Sequence, residues 1–128
     1  MTIPGYCSSF CAFHGYVGGY YKFAWAGVPP SGCPCYPQYA SPNWNPAADA
    51  TVNMIANVIA KTATNPLLDG WYYSEHDAYV ENADQCSWYF TNANQMWSGA
   101  YYNTYIGGRY YLVQSNWNPR TESCSVYL

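Results

Sequence analysis

Six cysteines in a chain of 128 residues, Cys7, Cys11, Cys33, Cys35, Cys86 and Cys124, restrict the fold more than any other feature. An even set in a small domain is either a disulfide framework or a zinc centre. "CSSFC" and "CPC" lack the paired C-x-x-C spacing of zinc ribbons and fingers, which favours disulfides. Disulfides imply an oxidising compartment, so the chain is expected outside the cell. Cys33 and Cys35 lie too close to bond one another comfortably, while Cys7 and Cys11 can point the same way. Two parallel links from the first pair to the second are therefore expected, and the choice between Cys7 and Cys11 for Cys33 stays open. Cys86 is left to pair with Cys124. "MTIPGYC" has neither a basic start nor an apolar stretch. The sequence thus predicts a single domain, 1–128, that is a piece or processed form of a longer secreted precursor.

Between the cysteines the chain reads as a small disulfide-stabilised α+β domain with short antiparallel strands, long proline-rich loops and one main helix at about 46–64. Residues 6–27 predict two short strands around "VGG", the second being "YYKFAWA". Residues 28–46 hold six of the nine prolines and predict loop. The helix is well punctuated: Asn45 suits the N-cap, Pro46 the first helical position and Asp49 the first turn. Val52, Ile55, Ala56, Ile59 and Ala63 follow the spacing of a buried stripe, and Asn65-Pro66 ends the helix. On another face Asn53, Asn57 and Lys61 recur at every fourth position. "GWYYSEHDAYVENADQC" reads as a loop or short helix, "AYYNTYIGGRYYLVQSNW" as a hairpin turning at Gly107-Gly108, and "NPRTESC" as a terminal turn.

Charge and aromatic content limit the partners. Charged residues are 9% of the chain, against roughly 25% in an ordinary soluble domain. The net charge of −3 rests on so few groups that neither nucleic acid nor an anionic membrane is an expected partner. No stretch approaches the roughly 18 apolar residues of a membrane span. Sixteen tyrosines include the doublets Tyr20-Tyr21, Tyr72-Tyr73, Tyr101-Tyr102 and Tyr110-Tyr111. In a strand, neighbouring side chains take opposite faces, so each doublet is expected to send one ring inward and one outward.

"GYCSSFCAFHGY", "YKFAWAG", "CPC", "SPNWNPAAD", "TATNPLLDGWY", "NADQC", "GGRYYLV" and "NPRTESC" occur in an order that resembles the EXORDIUM family of secreted, phosphate-induced proteins. The likeness runs from about Tyr6 to Cys124 and is expected to concern only the C-terminal half of the family's longer chains. The resemblance implies a degenerate minimal metalloprotease core, because some relatives carry a His-Glu-x-x-Glu-like helix ahead of Thr-Asn/Asp-Pro. Residues four apart on a helix can share one ion, and a glutamate beside them can take a proton from bound water. On this chain those positions fall on Asn57, Val58 and Lys61: an amide, an isopropyl group and an ammonium. The implied site is a remnant without metal or cofactor. A salt bridge from Lys61 to Glu81 or Asp84 is the expected replacement for the ion, and a merely solvated polar face is the rival reading.

The remaining chemistry is thin. His14, three residues after Cys11, reads as a structural hydrogen-bonding histidine, since the cysteines implied by the family are oxidised. His76 lies in a polar loop. Glu75, Asp77, Glu81 and Asp84 are too clustered in sequence for a glycosidase pair. The expected function is that of a non-catalytic secreted domain, a tyrosine-rich subunit of an extracellular fibre, sheath or cell-wall layer. It would contact copies of itself or other extracellular proteins. The alternatives are a carbohydrate-binding wall protein and a metal-dependent hydrolase with a relocated site.

Overall fold

The Asn45 side chain accepts a hydrogen bond from the Ala48 amide at 3.1 Å, so one of the donors that a first helical turn leaves free is met, while Pro46 has no amide to satisfy. The helix they begin, α1, spans Pro46–Thr64. This architecture comes from a computed structural model that describes residues 3–76 and 78–126. Asp49, buried in the first turn, reaches back to the proline-rich loop. It accepts hydrogen bonds from the Ser41 hydroxyl, the Asn43 amide nitrogen at 3.1 Å and the Asn43 side chain at 2.6 Å. "SPNWNPAAD" is thus a single capping unit. Burial, together with the nearby Asp49 charge, pushes the Tyr39 hydroxyl up to about 12, so this ring stays neutral.

The strands form five separate antiparallel ribbons of two strands each among the described residues. In chain order they are β1 (Ala12–Val17) with β2 (Tyr21–Ala26), β3 (Tyr72–Glu75) with β4 (Ala78–Glu81), β5 (Asn94–Gln95) with β6 (Tyr101–Tyr102), β7 (Thr104–Ile106) with β8 (Arg109–Tyr111), and β9 (Asn116–Asn118) with β10 (Ser123–Ser125). A short helix, α2, covers Asn82–Gln85. Gly107 and Gly108 turn β7 into β8 with φ of 59° and 79°, the left-handed geometry that such a tight turn requires. The segment expected to be a loop or short helix is largely the β3–β4 ribbon. Tyr72 and Tyr73 lie opposite Glu81 and Val80, and aromatic and β-branched residues favour such pairing over coil.

The apolar core is small and sulfur-rich. Cys33, Cys35, Ala50 and Met54 are buried together, with Cys7, Cys11, Ala12 and Ala26 packed against them. Disulfides Cys7–Cys33 and Cys11–Cys35 run side by side and fasten the N-terminal turn and the proline-rich loop onto α1. Cys86–Cys124 fastens the end of α2 to β10. With no wide sheet, buried loop backbone must find its partners elsewhere, and amide side chains provide them. Asn103 bonds the backbone of Thr91 and Val113, Asn82 that of Trp117, and Gln114 that of Ala83.

Two expectations about faces fail. Ile55 and Ile59 are 42% and 57% exposed, whereas Asn53 is only 3% exposed. Ile55 and Ile59 look outward, and the buried side of α1 is mixed: Ala50, Met54 and Val58 meet the core, while Asn53 and Lys61 meet backbone and carboxylates. The tyrosine doublets also depart from strict alternation. Both rings of Tyr20-Tyr21 and of Tyr72-Tyr73 are exposed, and Tyr20 lies in the turn ahead of β2 rather than in a strand. Tyr102 and Tyr111 are half-buried, and their neighbours Tyr101 and Tyr110 are exposed.

Candidate functional site

The inner face of α1 builds a polar cluster in two steps. About two turns from its start, Asn53 Oδ1 accepts the Gln114 backbone amide at 2.7 Å, which draws the segment after β8 against the helix. Two turns further on, Lys61 Nζ lies 3.0 Å from Glu81 Oε2 and 2.9 Å from Asp84 Oδ2. Glu81 closes β4 and Asp84 sits in α2, so one ammonium ties the main helix to both neighbouring elements.

Glu81 is the centre of this cluster. Its Oε1 lies 2.8 Å from His14 Nε2 on β1, and accepts a hydrogen bond from Asn65 Nδ2 at 2.8 Å. Asn65 in turn accepts the Gly70 amide at 2.7 Å, so the "TNP" turn is shaped around the carboxylate. Burial pushes the Glu81 carboxyl up, but hydrogen bonds from Asn65 and Lys61, the Lys61 charge and His14 bring it below its ordinary value. Burial likewise depresses Lys61, yet the hydrogen bonds and charges of Asp84 and Glu81 raise it above its ordinary value. Both groups are therefore ionised together at neutral pH. His14 Nδ1 is buried without a hydrogen-bond partner among the described residues, so the ring engages the cluster through Nε2.

A cavity of about 330 Å3 opens beside this cluster, between α1, the 9–12 segment and the chain after α2. Asn57, Lys61, Asp84 and Ser87 line it together with Phe10 and Trp88. Val58 points into the core, 2% exposed. Asn57 offers only a neutral amide, a poor zinc ligand, Val58 offers no donor, and Lys61 puts a positive charge where an ion would sit. The sulfurs of Cys7, Cys33 and Cys35 lie within 4.8 Å of one another, but all are in disulfides and none is a free thiolate. The cysteines therefore form cross-links, not a catalytic metal site. His14 entered the sequence reading only as an isolated structural residue. Its link to Glu81 spans 67 positions and leaves no local spacing signal.

The other sequence candidates do not converge here. Glu75 is exposed and accepts from the Tyr73 hydroxyl at 3.3 Å, and His76 is exposed in the turn after β3. Asp77 lies outside the described residues. Among the described residues no carboxylate pair for glycoside hydrolysis is assembled, because Glu81 and Asp84 are both bound to Lys61.

Fold and site together define a class: a disulfide-braced α+β domain whose central helix turns an ion-paired face to the interior. Residues 1–127 match the phosphate-induced protein 1 conserved region, and the chain belongs to that family. It is 29% identical to Protein PHOSPHATE-INDUCED 1 of Nicotiana tabacum, over 98% of this chain and 51% of the relative. It is 30% identical to Protein EXORDIUM-like 3 of Arabidopsis thaliana, over 98% of this chain and 46% of the relative. With Protein EXORDIUM-like 1 of the same plant the identity is 27%, over 98% and 51%. No solved structure matches the chain. The restriction of the likeness to a C-terminal half does not hold: the conserved region takes in nearly the whole chain, including residues ahead of Tyr6. The chain spans about half the length of the curated relatives it matches. Membership supports an extracellular location at the level of the family. None of the described helices is long and apolar enough to cross a membrane.

Proposed function

We propose that this chain works by contact rather than by chemistry, as one structural domain of an extracellular assembly built from copies of itself. One observation carries the reading: the outward face of α1 is apolar and uncharged. Ile55, Ile59, Ala48 and Ala63 are exposed, while both charged residues of the helix, Asp49 and Lys61, are turned inward. An exposed helix normally shows the reverse arrangement, and a charge-free outer face is suited to burial against a neighbour. Exposed rings extend the adhesive area: Tyr20, Tyr21, Tyr72, Tyr73, Tyr101 and Tyr110 from the doublets, with Tyr79 and Tyr105 beside them. Tyrosine gives large contact area at low entropic cost and keeps a polar tip. Only four basic and seven acidic residues oppose close packing. A fibre, sheath or wall layer is the concrete form of such an assembly.

Light scattering over a concentration series tests this. The protein should associate, and Ile55→Asp with Ile59→Asp should return it to monomer with its thermal midpoint unchanged or raised. A wild-type chain that remains monomeric at several hundred micromolar would overturn the proposal.

A further inference from the structure

The geometry points to a second function in the cavity beside Lys61: a binding site for one unit of a neutral sugar. Free hydrogen-bonding groups of both kinds converge there. The Asn57 amide and the Ser87 hydroxyl make no side-chain hydrogen bond among the described residues, although hydrogen bonds elsewhere occupy most of the buried amides. Lys61 uses two of its three donors on Glu81 and Asp84, and Asp84 engages Lys61 through Oδ2 alone. The cavity thus offers an amide with a donor and an acceptor end, an ammonium hydrogen, a carboxylate oxygen and a hydroxyl. A ligand that can answer all of them is one with several adjacent hydroxyl groups.

Charge decides against an anion. The positive charge of Lys61 is already outweighed by two carboxylates, so phosphate or an acidic sugar meets net negative potential. Volume decides against a large ligand, because about 330 Å3 is near the lower end of the roughly 300–1,000 Å3 usual for small-molecule sites. Phe10 and Trp88 line the cavity, and since the Phe10 ring packs against Phe13 and Trp25, Trp88 is the aromatic group left to attract the weakly positive C–H groups of a pyranose. Trp88 is held at φ 59°, a left-handed conformation that a bulky residue adopts only against a steric cost, yet its ring is 48% exposed.

This site stands apart from the assembly reading, and the two can fail separately. Calorimetric titration of the whole chain with neutral cello-, xylo- and galacto-oligosaccharides of four to six units tests it, with inorganic phosphate and an oligogalacturonate as anionic probes. At least one neutral series should bind. Asn57→Leu and Trp88→Gly should each weaken it by tenfold or more. Trp88→Gly should leave the thermal midpoint unchanged or higher, because glycine relieves the strained φ, and this separates loss of the ring from loss of the fold. Trp117→Ala, in the separate groove of Trp71 and Trp117, should leave the isotherm unchanged. Absence of heat with every neutral series at millimolar concentration would overturn the assignment. So would tighter binding of either anionic probe, or neutral binding that survives both cavity variants. The Ile55→Asp, Ile59→Asp monomer should bind as the wild type does, and loss of binding there would place the sugar on the assembly surface instead.

Discussion

Lys61 reaches from α1 to two carboxylates on neighbouring elements, and the cost of removing it follows from what would be left behind. Its side chain is 16% exposed and that of Glu81 10%, so deletion of the ammonium leaves Glu81 poorly solvated. Breaking one side of a buried pair typically costs about 3–5 kcal/mol, and part of that is relieved here because Asn65 and His14 still serve Glu81. Lys61→Met should therefore lose roughly 2–4 kcal/mol in urea denaturation, and adding Glu81→Gln should recover some of it. An unchanged midpoint would show that the ion pair contributes nothing.

The same pair gives stability a pH window. Glu81 is held below its ordinary value of 4.5 in the folded chain, so its contribution is complete above that value and is lost as pH falls through the lower folded one. Lys61 is held above its ordinary 10.5, so its contribution is complete below 10.5 and is lost as pH rises through the folded value. Thermal midpoints should be flat between these limits and fall on both sides. Glu81→Gln should flatten the acidic limb.

At the scale of elements, α1 shows what the sequence makes legible and what it hides. Its ends are local chemistry: Asn45-Pro46 and Asn65-Pro66 fix the start and stop without reference to the rest of the chain. Its orientation is not local. Ile55 and Ile59 make the more hydrophobic stripe, but the inner face is set by the cystine core that Ala50 and Met54 join and by Glu81, Asp84 and the Gln114 backbone, all distant in the chain. The β3–β4 ribbon was obscured for a related reason, since Glu75, His76 and Glu81 gave a pairing segment the look of a polar loop. The polar cluster was half legible: Lys61, Glu81 and Asp84 stood out by type, and His14 had no signal beyond its own identity. The junction after α1 can be tested directly. A Cβ at Gly70 would lie 2.6 Å from the Thr64 carbonyl oxygen, which is itself held by the Trp71 amide. Gly70→Ala should destabilise by about 2 kcal/mol or more through that overlap. Near-ultraviolet circular dichroism should show the altered environment of Trp71.

The whole molecule is held by cross-links more than by hydrocarbon. Its buried apolar residues are mostly small, alanine and half-cystine among them, so the three disulfides carry an unusual share of the stability. Cys86–Cys124 closes a separation of 38 residues, for which chain entropy alone gives about 4 kcal/mol. Replacing both cysteines by serine should lower the unfolding free energy by roughly that amount, less any residual order in the unfolded chain. Retention of full stability would locate the strength in the ribbons instead.

Those ribbons have a consequence for how the native state is reached. Each joins two strands that are consecutive in the chain, so no strand has to search for a distant register. Hairpins of this kind form in about 1–10 microseconds, whereas pairing and reshuffling of thiols takes seconds to hours. The order in which the molecule assembles is then set by redox chemistry: local pieces appear at once, and the supply of oxidant and isomerase governs when they lock into one body.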